Sequence, residues 1–222
     1  MRNSLLVLLF TWTPFATAAP SLEQILARMD EAGQRLKGMT ATLEQKKWTE
    51  ILAEYDAGER GTFSFLREGD KVMLRKDIQS PTVNSLVIRD GLVTFYQPSL
   101  KQAQEYRLGQ HGDKAEFLLL GFGSNREALK EAYAIAYLGE EKLGDLVTHK
   151  LELKPKSEKV AAFFTRILLW VDPARWIPVR QLLEEPTGDH LRIDFSEIQI
   201  NPKLSRSNFD IKLPREVRVI RN

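Results

Sequence analysis

The stretch SLVIRDGLVTFYQP, residues 85–98, constrains this chain more than any other. Two apolar runs flank Asp90-Gly91. An Asp-Gly pair readily takes the left-handed backbone that a two-residue hairpin turn demands, so the two runs pair as antiparallel strands. The same grammar continues on both sides. Residues 40–52 place Ala41, Leu43 and Gln45 on one face and Thr42 and Glu44 on the other. Residues 61–66 alternate, residues 71–76 form a short strand, and KQAQEYRL returns after the Pro98-Ser99 turn. Further along, residues 134–138, 146–153, 163–171, 177–183 and 190–200 read as strands, with turns such as KPKSEK, DPARW and EPTGD between them. The tail FDIKLPREVRVI adds a short edge strand that Pro214 limits.

Two segments break the period of two. Ser21 followed by Gln24 is a capping box, and Leu22, Ile25, Leu26, Met29 and Leu36 recur at helical spacing until Gly38. This predicts an amphipathic helix over 21–37. In GDKAEFLLLGFGSNREALKEAY, Ala115, Leu118, Leu119 and Phe122 predict a short helix, and Ser124 is placed to cap a second over 125–131. About eleven strands are many for one sheet, and such sheets curl or close to limit their edges. The expected fold is mainly β with α: one bent antiparallel sheet whose concave face is plugged or lidded by the helical pieces.

The N-terminus is of another kind. Arg2, an apolar run over 5–10 that extends to Trp12, and the small residues Ala16, Thr17, Ala18 and Ala19 form a secretory signal pattern. Cleavage is expected after Ala18, which leaves 19–222 as a single domain. With no second long apolar segment, a soluble exported protein is expected. There is no cysteine, which excludes disulfides, thiolate metal sites, a cysteine nucleophile and a lipidated cysteine after the signal. A net charge of +2 with mixed signs throughout gives no nucleic-acid arm.

Chemistry is hard to find. His111, His149 and His190 lie far apart without metal-ligand spacing, GFGSNR lacks the Lys-Ser/Thr pair of a phosphate loop, and no G-x-S-x-G elbow exists. The pairs Glu140-Glu141 and Glu184-Glu185 put neighbouring side chains on opposite strand faces. No enzyme, cofactor or metal is therefore expected. The chain does carry apolar surface on its strands, including Trp48, Phe63, Phe65, Phe95, Phe163, Trp170 and Phe195. In GTFSFLR, Phe63, Phe65 and Arg67 share a face, because residues two apart on a strand point the same way. Arg67 either ends a strand in solvent, or donates to helix-end carbonyls of a lid or to a polar head group.

These pieces resemble the periplasmic lipoprotein carriers, the LolA-like family. The likeness runs over ATLEQ at 41–45, GERGTFSFLR at 58–67, LVIRDGLVTFYQP with Tyr96 and Pro98, the insert AEFLLLG, and the closing FDIKLPREVRVI. After the family's arginine, which falls on Arg67, Glu68 stands in place of a proline. The resemblance implies an incomplete, unclosed antiparallel barrel with helices over its mouth, which shields the acyl chains of lipoproteins in the periplasm. It further implies cargo received from an inner-membrane lipoprotein-releasing transporter and passed to an outer-membrane acceptor. The residues expected to line the cavity are Leu43, Trp48, Phe63, Phe65, Phe95, Leu118, Leu119, Phe122 and Trp170, with Arg67 at the rim, in a monomer. Two other readings stay open: a lipid-sensing envelope regulator of the same fold, and an enzyme acting on a lipid.

Overall fold

The computed structural model describes residues 19–69, 71–107, 120–122 and 125–221. Helix α1 (Leu22–Arg35) begins at Ser21, whose side chain accepts from Gln24 N while the Gln24 side chain accepts from Ser21 N. Strands β1 (Gly38–Thr49), β2 (Glu54–Tyr55), β3 (Glu59–Glu68), β4 (Lys71–Ser80), β5 (Asn84–Arg89), β6 (Leu92–Gln97) and β7 (Gln102–Arg107) follow. Helix α2 (Arg126–Ala132) comes next, then β8 (Tyr133–Leu143), β9 (Leu146–Pro155), the one-turn α3 (Glu158–Ala161), β10 (Arg166–Val171), β11 (Pro178–Glu184), β12 (His190–Ile200) and β13 (Arg218–Arg221).

The described strands form one sheet in the order β13-β7-β6-β5-β4-β3-β1-β12-β11-β10-β9-β8, with β2 paired to β1. Its two edges do not meet, so the barrel is unclosed. The sheet has 13 strands rather than about eleven, because β2 is a two-residue arm and the tail strand is counted. Pairing is antiparallel except at one edge, where β13 lies parallel to β7. That strand arrives after a long crossing, so no hairpin fixes its direction. The Asp90-Gly91 turn forms as read, with φ of 50° and 73°. The strand expected at 134–138 runs on to Leu143, because a bulge around Leu138, with Gly139 at φ 98°, lets pairing with β9 resume. Helix α2 is capped by Asn125 rather than Ser124: Asn125 Oδ1 accepts from Glu127 N and Ala128 N.

The inner face of the sheet carries the main core. Met39, Ala41 and Leu43 of β1, Phe63 and Phe65 of β3, Leu74 and Ile78 of β4, Leu151 and Leu153 of β9, Ile167 and Leu169 of β10, and Ile193 and Phe195 of β12 are all buried there. Helix α1 covers this face with Ile25, Leu26 and Met29, its apolar stripe. Asn201 closes the corner between α1 and β1. Its Oδ1 accepts from Lys37 N and Gly38 N, and its Nδ2 donates to Arg35 O.

On the outer face, Leu66, Met73 and Val87 pack under Phe209, Leu204 and Ile211 of the chain that follows β12. Arg206 fastens this crossing. It donates to both Asp90 oxygens at 2.9 and 2.7 Å and to Glu68 Oε2 at 3.1 Å. The hydrogen bonds from Arg206 hold the Asp90 carboxyl below its ordinary range. A depressed folded-state value means stability that is complete above the ordinary aspartate range, about pH 4, and lost as pH falls through the lowered value. Asp90→Asn is expected to flatten this part of the acid limb when urea stability is followed downward from about pH 4.

Candidate functional site

The residues singled out from the sequence divide between the two faces of the sheet. Leu43, Phe63, Phe65 and Phe122 lie on the inner face with 1% exposure or less. Phe63 and Phe65 belong to β3 and face Ala41 and Met39 of β1 across the ladder. Phe122 comes from the segment between β7 and α2. Its ring lies 5.9 Å from Phe63 and 5.2 Å from Phe195, and Phe63 and Phe195 are 5.4 Å apart, mostly edge-on. Three rings thus close on one another in the middle of the inner face, the arrangement that aromatic quadrupoles favour. Phe95 shares this face with Val93 and is half-buried opposite Leu86. Leu118 and Leu119 lie outside the described residues.

Two tryptophans do not belong with them. Trp48 is an odd number of residues from Leu43, so the strand period turns it to the outer face. There it stacks on His190 at 5.7 Å, meets Tyr55 edge-on at 5.1 Å, and donates to Glu50 Oε2. Trp170 alternates with Leu169 and Val171, which are core residues, and so also points outward. It is buried there under Lys150, whose Nζ lies 4.7 Å from the ring centroid, and beside Arg180. A charged side chain laid over the ring hides this surface as completely as a core would.

Arg67 is half-buried at the edge of the inner face. Its Nη1 donates to the carbonyl of Gly33 at 3.0 Å, and its guanidinium lies 5.5 Å from the Phe65 ring. Gly33 sits in the last turn of α1, and its carbonyl also accepts from Leu36 N at 3.2 Å, so Arg67 adds a second donor at the helix end. The helix that Arg67 meets is therefore the N-terminal one. Helices α1 and α2 also join each other, through Lys130 Nζ on the Glu23 carboxylate at 2.6 Å and Arg126 N on Asp30 Oδ1.

The sequence did not single out the polar side chains that face inward as part of a site. Lys76 lies between Leu74 and Ile78, and its Nζ donates to Gln45 Oε1 at 3.3 Å, while Gln45 donates to Glu59. Burial pushes the Lys76 ammonium below its ordinary range, and the charge of Glu59 partly offsets this. Gln181, 1% exposed, donates from Nε2 to the carbonyl of Leu120 at 2.8 Å. Only the alternation with Leu183 hinted at the direction of Gln181, since a glutamine alone is read as surface. A cleft of about 580 Å³ touches Phe195 from one end of the sheet; Leu143, Leu146 and Ile198 line it together with charged residues such as Lys142, Arg180 and Asp194. Among the described residues, no group of three or more histidines or carboxylates could hold a metal ion.

Residues 22–212 match the family described as "Outer membrane lipoprotein carrier protein LolA". A curated relative, the outer-membrane lipoprotein carrier protein of Bordetella avium (strain 197N), is 27% identical over 217 residues, spanning 93% of this chain and 95% of the relative. Among solved structures, an uncharacterized conserved protein from Thermus thermophilus superposes with a TM-score of 0.56 at 15% identity, over 90% of this chain and 98% of that one. The MucA/MucB complex of Pseudomonas aeruginosa superposes with a TM-score of 0.51 at 16% identity, over 88% of this chain and 62% of that one. At these identities the structures share the fold.

Proposed function

The chain belongs to the outer-membrane lipoprotein carrier (LolA) family, and on that footing we propose that it binds acyl chains of lipoproteins against its inner face and ferries them across the periplasm. The observation that carries this reading is how the face is covered. Phe122 and helix α1 fill it with apolar side chains, and hydrogen bonds such as those from Arg67 to Gly33 and from Gln181 to Leu120 tie the covering pieces to the sheet.

An incoming acyl chain would exchange one apolar filling for another. Each buried methylene contributes about 0.8 kcal/mol, but displacing α1 or Phe122 gives back much of that gain. The net affinity is then a small difference between two large burials, which a carrier needs if it is to release its load. The cleft beside Phe195 offers a path by which a chain could start to enter. The work is done by binding, without a catalytic step. By family resemblance, the donor is an inner-membrane lipoprotein-releasing transporter and the recipient an outer-membrane acceptor.

Export is part of the reading. The mature chain, residues 19–222, acts as one carrier unit, and its N-terminal sequence in the soluble periplasmic fraction is expected to begin at Ala19. Full-length protein recovered in washed membranes would reject this. The function itself is tested by gentle purification from the periplasm and mass spectrometry of what accompanies the chain. Acylated proteins are expected. Co-purification of a protein partner that carries no acyl group would favour a regulator of the same fold instead.

A further inference from the structure

Gln181 sits on the inner face in surroundings that give a carboxamide little to do. Across the ladder it faces Leu169 on β10 and Ile193 on β12, both with no exposed surface. Along β11 its neighbour on the same face is the buried Leu183. Its Nε2 is used, on the Leu120 carbonyl, and that bond fixes which end of the amide is nitrogen. Its Oε1 is buried and has no hydrogen-bond partner among the described residues. Buried polar atoms in folded proteins are paired in the great majority of cases, and each exception asks for a reason.

The segment above it is pressed close. Gly121 has φ +84°, and a Cβ there would come within 2.5 Å of Pro178 Cγ, at the start of β11. Leu120 and Phe122 on either side are buried. The donor of Gln181 therefore holds down the short stretch that covers the inner face, while its acceptor is buried among apolar side chains without a partner among the described residues. A leucine or methionine would fill the same space without leaving an oxygen unpaired.

We propose that Gln181 reads the linkage of the bound chain. This rests on the acyl-carrier reading above. The open position is an acceptor, so the group that completes it must bring a donor hydrogen at the head of a hydrocarbon chain. The N–H of an amide-linked acyl chain supplies one. An ester linkage carries acceptors only, and would meet Oε1 oxygen to oxygen. The ligand class selected is the N-acyl chain over the O-acyl chain.

Three probes of equal chain length test this: N-methyldodecanamide, which has one N–H, N,N-dimethyldodecanamide, which has none, and methyl dodecanoate. Full-length mature protein is titrated with each by calorimetry or by displacement of an apolar dye. The wild type is expected to bind the N–H amide roughly three- to tenfold more tightly than the other two, the range of one net hydrogen bond. Gln181→Met and Gln181→Leu are expected to level the three: loss of the bond to Leu120 acts on all three alike, and loss of Oε1 removes the advantage of the first. Equal binding of all three by the wild type overturns the proposal, as does an unchanged preference in both variants. A uniform gain for all three in the variants would mean that Gln181 serves only to hold Leu120, and overturns it as well. In each of these cases the carrier reading stands. Binding of none of the probes by the wild type would remove the acyl-binding face itself, and the role of Gln181 with it.

Discussion

Arg67→Leu is expected to take up acylated protein normally and to hold it about tenfold more tightly, so that little passes to an acceptor. On the proposed carrier reading, the hydrogen bond from Arg67 Nη1 to Gly33 O is made when α1 lies on the inner face and is lost when an acyl chain displaces that helix. Hydrogen bonds to charged groups contribute about 1.5–3 kcal/mol, and a half-buried arginine belongs at the lower end. Removing it raises the free energy of the empty form and leaves the loaded form untouched, so release becomes less favourable by that amount. At about 1.4 kcal/mol per decade this is a tenfold shift in the partition. The measurement is the equilibrium distribution of a fluorescent acylated protein between carrier and acceptor. Hydrogen exchange of α1 followed in parallel should speed up in the empty variant while the central strands stay protected. An unchanged partition with unchanged exchange would reduce Arg67 to a strand-end charge.

Phe122→Ala should move stability and binding in opposite directions. Truncating a fully buried phenylalanine costs about 3–5 kcal/mol, part of it for the cavity left behind. Here that cavity would be bounded by Phe63 and Phe195, the two rings that Phe122 now touches. On the proposed carrier reading, an acyl chain would displace Phe122 from this place in the wild type and would find it free in the variant. Binding of dodecane or an apolar dye is expected to rise by about tenfold or more, since the displacement penalty disappears. Phe63→Ala is the control. It costs a similar amount of stability but removes part of the floor itself, so it should not gain affinity. If Phe122→Ala loses stability without binding apolar ligands better, the three rings are an ordinary core and the acyl chain lies elsewhere.

Much of the fold was legible in consecutive residues. The capping box at Ser21, the Asp90-Gly91 turn, and the inward direction of Leu43, Phe63 and Phe65 were all read correctly, and so was the single large sheet with a helix over its inner face. The candidate site was legible only in part. Trp48 and Trp170 are as apolar as the residues that line the inner face, and nothing in their local sequence says that a histidine or a lysine will lie over them on the outside. Gln181 reads as a surface residue until Leu169 and Ile193 stand on either side of it.

The division has a physical reason. Turn chemistry, capping and side-chain period act between residues a few positions apart, so the sequence by itself determined which segments are strands, where the hairpins reverse and which side chains of one strand share a face. It could not say which of two faces would be enclosed, since that depends on the curvature of the whole sheet and on what is laid against it. Contacts across long separations were also left to the tertiary structure. Arg67 meets Gly33 from 34 residues away, Gln181 meets Leu120 from 61 residues away, and β13 reaches β7 in parallel without a turn to direct it. These bonds form because packing brings distant backbone carbonyls beside side-chain donors that have lost their water, and no periodicity in the chain encodes that meeting.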